Sequence, residues 1–128
     1  MIATAPTRRR IRRTREQVDH EAELWRRYTH RRTLTNRNAL VACYKRFAWH
    51  LIRQYEQGGH LPPQLTGDDV SGAVMAALVW CVERFRPNSG AVFTTFARRR
   101  LQGAIIDEQR RWGGRWMDIA GSVAGWHT

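Results

Sequence analysis

Apolar residues along this chain recur at helical rather than alternating spacing. Leu24, Trp25 and Tyr28 fall on one face of a first helix, predicted from about Asp19 to Arg32. Thr35-Asn36 offers an N-cap for a longer second helix. Its stripe is Leu40, Tyr44, Phe47, Leu51 and Tyr55, widened by Val41, Ala48 and Ile52. Gly58-Gly59 ends that helix, and Leu61-Pro62-Pro63 imposes an extended connection. Thr66 and Asp69 have the spacing of a capping box, opening a third helix with Val70, Val74, Ala77, Leu78, Cys81, Val82 and Phe85 on its apolar side. Pro87-Asn88-Ser89-Gly90 reads as a turn. A fourth helix begins near Phe93 and runs to about Trp112, where Gly113-Gly114 is expected to stop it. No segment alternates as a strand would. The pattern predicts an all-α fold, a compact bundle of about four helices.

The chain has 128 residues, enough for a single core. Hydrophobic residues make up 42%, a globular composition. The net charge of +11 points to a polyanionic partner, nucleic acid before membrane. That charge sits at the two ends. Residues 1–18 carry six arginines against Glu16, and residues 93–116 carry six against Asp107 and Glu108. Residues 60–92 are close to neutral and could meet a different partner. The run RRRIRRTR at residues 8–15 reads as a disordered basic arm. The division expected is an arm over 1–18, a helical domain over 19–116 and a short tail over 117–128.

Cys43 and Cys81 are widely spaced, with no secretory signal ahead of them and no apolar run of membrane-spanning length. A soluble, reduced, cytoplasmic protein without membrane contact is expected. His20, His30, His50, His60 and His127 show no metal-ligand spacing with those cysteines, and no phosphate loop or nucleophile motif is present. The chain therefore reads as a binding protein rather than an enzyme, with no catalytic residues, metal or cofactor.

The most informative stretch is FRPNSGAVFTTFARRRLQGAIIDEQRR, from Phe85 to Arg111. It sets Phe93 and Phe96 against the triplet Arg98, Arg99 and Arg100. Arginines hold phosphates and aromatic faces accept unstacked bases, so such a helix suits single-stranded or melted nucleic acid. Phe93 begins the stripe continued by Ala97, Leu101 and Ala104 and belongs to the core. Phe96 is the candidate for stacking. Asp107 could equally fix Arg110 or Arg111 within the helix. Trp25, Trp49 and Trp80 lie in helices and read as core or partner contacts, whereas Trp112 and Trp116 adjoin arginines and could touch nucleic acid.

Taken in order, these pieces resemble region 2 of the sigma-70 family of bacterial RNA polymerase sigma factors, in its flagellar and stress-response branch. The resemblance rests on Leu24-Trp25 with Tyr28, Asn38-Ala39-Leu40-Val41 with Tyr44, Leu61-Pro62, and Asp68-Asp69-Val70. It continues through Glu83-Arg84-Phe85, Pro87, Gly90, Phe93, Thr95-Phe96-Ala97, Arg100, Gly103-Ala104-Ile105 and Asp107-Glu108. It implies a transcription initiation factor that docks on the coiled coil of the polymerase's largest subunit and captures the non-template strand of the promoter −10 element. The residues so implied for DNA are Phe96, Arg98, Arg99, Arg100, Gly103, Asp107, Arg110, Arg111 and Trp112. Those implied for polymerase are Asp68, Asp69, Gly72, Ala73 and Ala76. An anti-sigma factor is a further partner the family implies.

Three features depart from the family pattern. Gly72 stands where a glutamine is usual, Ala73 where many members carry an acid, and Arg99 where an aromatic wedge meets the upstream duplex. The second domain that reads the −35 element has no counterpart before Thr128, which leaves either a natural single-domain protein or a truncation. Two other readings stay open. One is a sigma-like protein that binds polymerase or an anti-sigma factor without opening promoters. The other is a general binder of single-stranded nucleic acid.

Overall fold

The computed structural model describes residues 13–59, 61 and 65–124, with side chains as far as Trp112. The basic run at residues 8–12 and residues 125–128 lie outside the described residues. Among the described residues five helices follow one another, α1 (Arg15–His30), α2 (Leu34–Cys43), α3 (Lys45–Gln57), α4 (Gly67–Arg84) and α5 (Phe93–Ala124), with one 3₁₀ turn at Pro87–Ser89 before α5. No strand occurs among the described residues.

The helix starts are chemical. Thr14 caps α1 through a reciprocal box, its Oγ1 accepting from the Gln17 N–H at 3.1 Å while the Gln17 side chain accepts from the Thr14 N–H at 2.8 Å. That box starts α1 at Arg15, four residues ahead of the expected Asp19. Thr33, not the expected Thr35-Asn36, caps α2, its Oγ1 accepting from the Asn36 N–H. At α4 the Asp69 carboxylate accepts from both the backbone N–H and the hydroxyl of Thr66, at 2.7 and 3.0 Å. The turn before α5 closes on Gly90, whose φ of 85° lies in the left-handed region that a glycine adopts without strain.

Two further expectations need correction. The long second helix divides at Tyr44, whose ψ of 6° departs from helical geometry. The division falls where Tyr44 is tied sideways into the core: its hydroxyl accepts from Trp25 Nε1 at 2.8 Å and donates to Glu21, and its ring stacks on Phe93. The apolar stripe survives, because the Ala48 N–H still reaches the Tyr44 carbonyl at 3.1 Å. The second correction is that α5 runs through Gly113-Gly114 to Ala124. Glycine weakens a helix by about 1 kcal/mol per residue but, unlike proline, keeps its N–H and does not forbid one.

Helix α4 is the centre of the bundle, packed against α2, α3 and α5, while α1 packs on α2. Val70, Val74, Leu78, Cys81 and Val82 of α4 are buried with Leu40, Ala48, Leu51, Ile52, Leu101 and Ile105. Burial pushes the Cys81 thiol up to about 11, so it stays neutral and unreactive at ordinary pH.

Two glycines of α4 should respond oppositely to alanine. A Cβ on Gly67 would lie 2.9 Å from Ile52 Cγ2, a buried methyl with nowhere to go, so Gly67→Ala should cost about 1–3 kcal/mol. Gly72 is exposed with nothing within 4 Å, so Gly72→Ala should stabilise by about 0.5–1 kcal/mol through helix propensity. Thermal unfolding of the two variants beside the parent chain checks both signs.

Candidate nucleic-acid interface

Along α5 the steps from Phe96 to Arg100, Gly103 and Asp107 are four, three and four residues. These side chains share one face and span about 16 Å of helix. The face looks across to α4. Between the two helices lies an open groove of about 320 Å³, lined by Ala77 and Trp80 of α4 and by Arg99, Arg100, Gly103, Ala104 and Asp107 of α5. It falls at the small end of ligand clefts, roughly 300–1,000 Å³. Gly103 leaves open space where a side chain would stand, which widens the groove at its middle.

The arginine triplet does not act as a block. Successive helical residues diverge by about 100°, so the three guanidinia leave α5 in different directions. Arg98 lies over the ring of Phe47 on α3, its Cζ 5.4 Å from the centroid. Arg100 lies over Trp80 on α4, at 4.2 Å. Arg99 is exposed at the rim between them. None of the three forms an ion pair among the described residues, so their charge faces solvent uncompensated.

Phe96 is half-buried, in an aromatic cluster with Phe85 at 5.4 Å and Phe93 at 6.4 Å. One part of its ring supports the core and the rest is open. Phe93 is buried, as its place in the apolar stripe indicates. Glu108, not Asp107, pairs with Arg111, at 3.3 Å. Asp107 is exposed and makes no ion pair among the described residues, and Arg110 is exposed beside it. Trp112 is partly buried against the core.

On α4, Asp69, Gly72, Ala73 and Ala76 recur at steps that place them on one stripe, with Asp68 beside it. Asp68, Asp69, Gly72 and Ala76 are exposed and Ala73 is half-buried. The Asp69 carboxylate is already engaged at the helix cap. One turn beyond Ala76 the stripe reaches Trp80, so this face and the groove form a continuous surface.

Trp80, which sequence reasoning left as a core or partner contact, lines the groove. The Arg84 guanidinium lies over the Trp80 ring at 4.6 Å, from one turn along the same helix. The Trp-x-x-x-Arg spacing was the available signal, but it says nothing of Arg100 arriving from α5. Among the described residues no group of three or more His, Cys, Asp or Glu could hold a metal ion, and no helix is long and apolar enough to cross a membrane.

Residues 40–115, more than half of the chain, match the family model described as Sigma-70 region 2. The chain is also similar to the RNA polymerase sigma factor FliA of Pseudomonas aeruginosa, at 34% identity over 67 residues. That alignment takes in 52% of this chain and 25% of the relative, so the chain spans about a quarter of the relative's length. No solved structure matches the chain significantly.

Proposed function

The chain belongs to the sigma-70 region 2 family, and on that premise we propose that it acts in transcription initiation, docking on RNA polymerase core through α4 and holding the non-template strand of a promoter −10 element along α5. The observation that carries this reading is the α5 face. Uncompensated arginines flank a half-exposed Phe96 there, beside a groove too small for a duplex. Opening duplex DNA costs a few kcal/mol per base taken out of the stack. Stacking on an aromatic ring returns about 1–3 kcal/mol per base, and arginine on phosphate supplies affinity independent of sequence. Phe96, Arg98, Arg99, Arg100, Gly103, Asp107, Arg110, Arg111 and Trp112 are the DNA residues of this proposal. Asp68, Asp69, Gly72, Ala73 and Ala76 are its polymerase residues, meeting a coiled coil of the largest subunit. A bacterial cytoplasmic location and an anti-sigma partner go with the same reading.

The test is co-elution with purified core RNA polymerase in gel filtration. Asp69 is a poor control, because removing it also removes the α4 cap at a cost of about 1 kcal/mol. Ala76→Arg is better: residue 76 is exposed in mid-helix, where arginine is well tolerated. Co-elution lost in Ala76→Arg is expected, and absence of binding by the parent chain at low salt would sink the proposal. Docking without promoter-dependent RNA synthesis would instead be the behaviour of a competitor, a reading favoured by the small, smooth face at Gly72 and Ala76.

A further inference from the structure

Helix α3 turns a second basic surface to solvent. Ala48, Leu51 and Ile52 bury one side of it, and Arg46 and Arg53, seven residues apart and both exposed, stand on the opposite side. The two are separated by about 10 Å along the helix. Arg98 joins them from α5, its guanidinium lying over Phe47, the neighbour of Arg46. Arg98 and Arg100 are two positions apart, so they leave α5 about 200° from each other, one toward α3 and one toward α4. Helix α5 is therefore a ridge between two faces. None of Arg46, Arg53 and Arg98 forms an ion pair among the described residues. Glu56, the one acid of α3, already accepts from the Gly67 N–H at the start of α4.

Unpaired positive charge gathered on one face points to a polyanion. Apolar surface decides between nucleic acid and an acidic protein. Protein interfaces are anchored by aromatic or aliphatic side chains that bury at their centre. The exposed large hydrophobics among the described residues are Val18, Leu34 and Val92, none of them on α3, while Phe47 and Trp49 are packed partly against the core. Phosphate contact requires no such anchor. We propose that the outer face of α3, with Arg46, Arg53 and Arg98, holds the phosphate backbone of double-stranded DNA, on the opposite side of the α5 ridge from the single strand. A strand taken out of a duplex stays continuous with the duplex that remains, so a protein that holds the one meets the other. Because the contact is to phosphate alone, it fixes position and carries no sequence preference. The choice of DNA rests on the function proposed above.

Fluorescence anisotropy of the full chain, titrated with salt, tests this on two labelled probes, a duplex of about 20 base pairs and a single strand of about 12 thymines. The variant Arg46→Gln/Arg53→Gln changes two exposed positions where glutamine suits a helix. Its log–log salt slope for the duplex should fall by about 1.8, two contacts at about 0.9 each, while the slope for the single strand stays where it was. Adding Arg98→Gln should lower the duplex slope by about 0.9 more. An unchanged duplex slope overturns the assignment. Comparable falls on both probes also overturn it, since they report only the lost net charge. Loss of core-polymerase co-elution in the double variant, with the duplex slope unchanged, overturns it too and gives the face to a protein partner. Co-elution of the parent chain, read separately, reports on the initiation proposal itself. Intact co-elution with an unchanged duplex slope removes the α3 face alone.

Discussion

Trp25→Ala should lower the unfolding free energy by about 3–5 kcal/mol, a large fraction of the 5–15 kcal/mol that ordinarily separates folded from unfolded domains. Trp25 is buried at 8% exposure and is the hub of the aromatic cluster. Its ring lies 5.3 Å from Phe85 at the exit of α4, 5.4 Å from Phe93 at the start of α5, and 6.4 Å from both Tyr28 and Tyr44. Pairs at such spacings add about 0.5–1.5 kcal/mol each beyond the area they bury. Its Nε1 also donates to the Tyr44 hydroxyl, so truncation removes that polar tie together with the packing. Urea unfolding checks the figure, and with slopes of about 1–3 kcal/mol per molar the midpoint should fall by roughly 2 M. Trp25→Phe keeps a ring and loses the donor, so it should cost only about 1–3 kcal/mol. Near-equal losses in the two variants would show that the hydrogen bond, not the ring, carries the site.

The same residue bears on where the folding unit begins. The family match starts at residue 40, yet Leu24, Trp25 and Tyr28 of α1 are part of the one buried core. Removing α1 would bare Tyr44, Phe85 and Phe93 together. The helix is therefore integral to the fold even though it precedes the matched segment.

Much of this was legible in the sequence because it is local. The stripe of Leu40, Tyr44 and Leu51, the Thr66–Asp69 cap and the turn ending at Gly90 each depend on residues a few positions apart. The Thr14–Gln17 box has the same local signature, but it lies at the edge of an arginine run that reads as a solvated arm. What was not legible depends on contact between distant segments. The division at Tyr44 coincides with its ties to Trp25 and Phe93, nineteen residues before it and forty-nine after. Likewise the groove exists because α4 and α5 pack so that Trp80 meets Arg100. Helical spacing put Phe96, Arg100, Gly103 and Asp107 on one face, but only the packing shows that this face borders an aromatic ring on another helix. Asp107 shows the limit at the shortest range. Pairing with Arg110 or Arg111 was open by spacing, and Glu108 takes Arg111 instead.

Replacing Arg98, Arg99 and Arg100 together by glutamine should weaken binding to single-stranded DNA by about one and a half decades at 0.1 M salt. Each phosphate neutralised on a single strand contributes about 0.7 to the log–log salt slope. Two of the three, Arg99 and Arg100, face such a strand, so together they are worth about 1.4 in slope, and the loss should fade as salt approaches 1 M. The single substitutions should be unequal, because the guanidinia leave α5 in different directions. Arg98 is drawn toward Phe47 on α3, and Arg100 toward Trp80 on α4. A strand running over the α4–α5 groove meets Arg99 and Arg100 and passes Arg98 by. Arg99→Gln and Arg100→Gln should then each lower the slope by about 0.7, while Arg98→Gln leaves it nearly unchanged. The reverse order would move the strand to the α3 side, away from Trp80 and Asp107. An unchanged slope in the triple variant would show that these arginines are a solvated helix face, leaving the basic charge elsewhere in the chain to account for any DNA affinity.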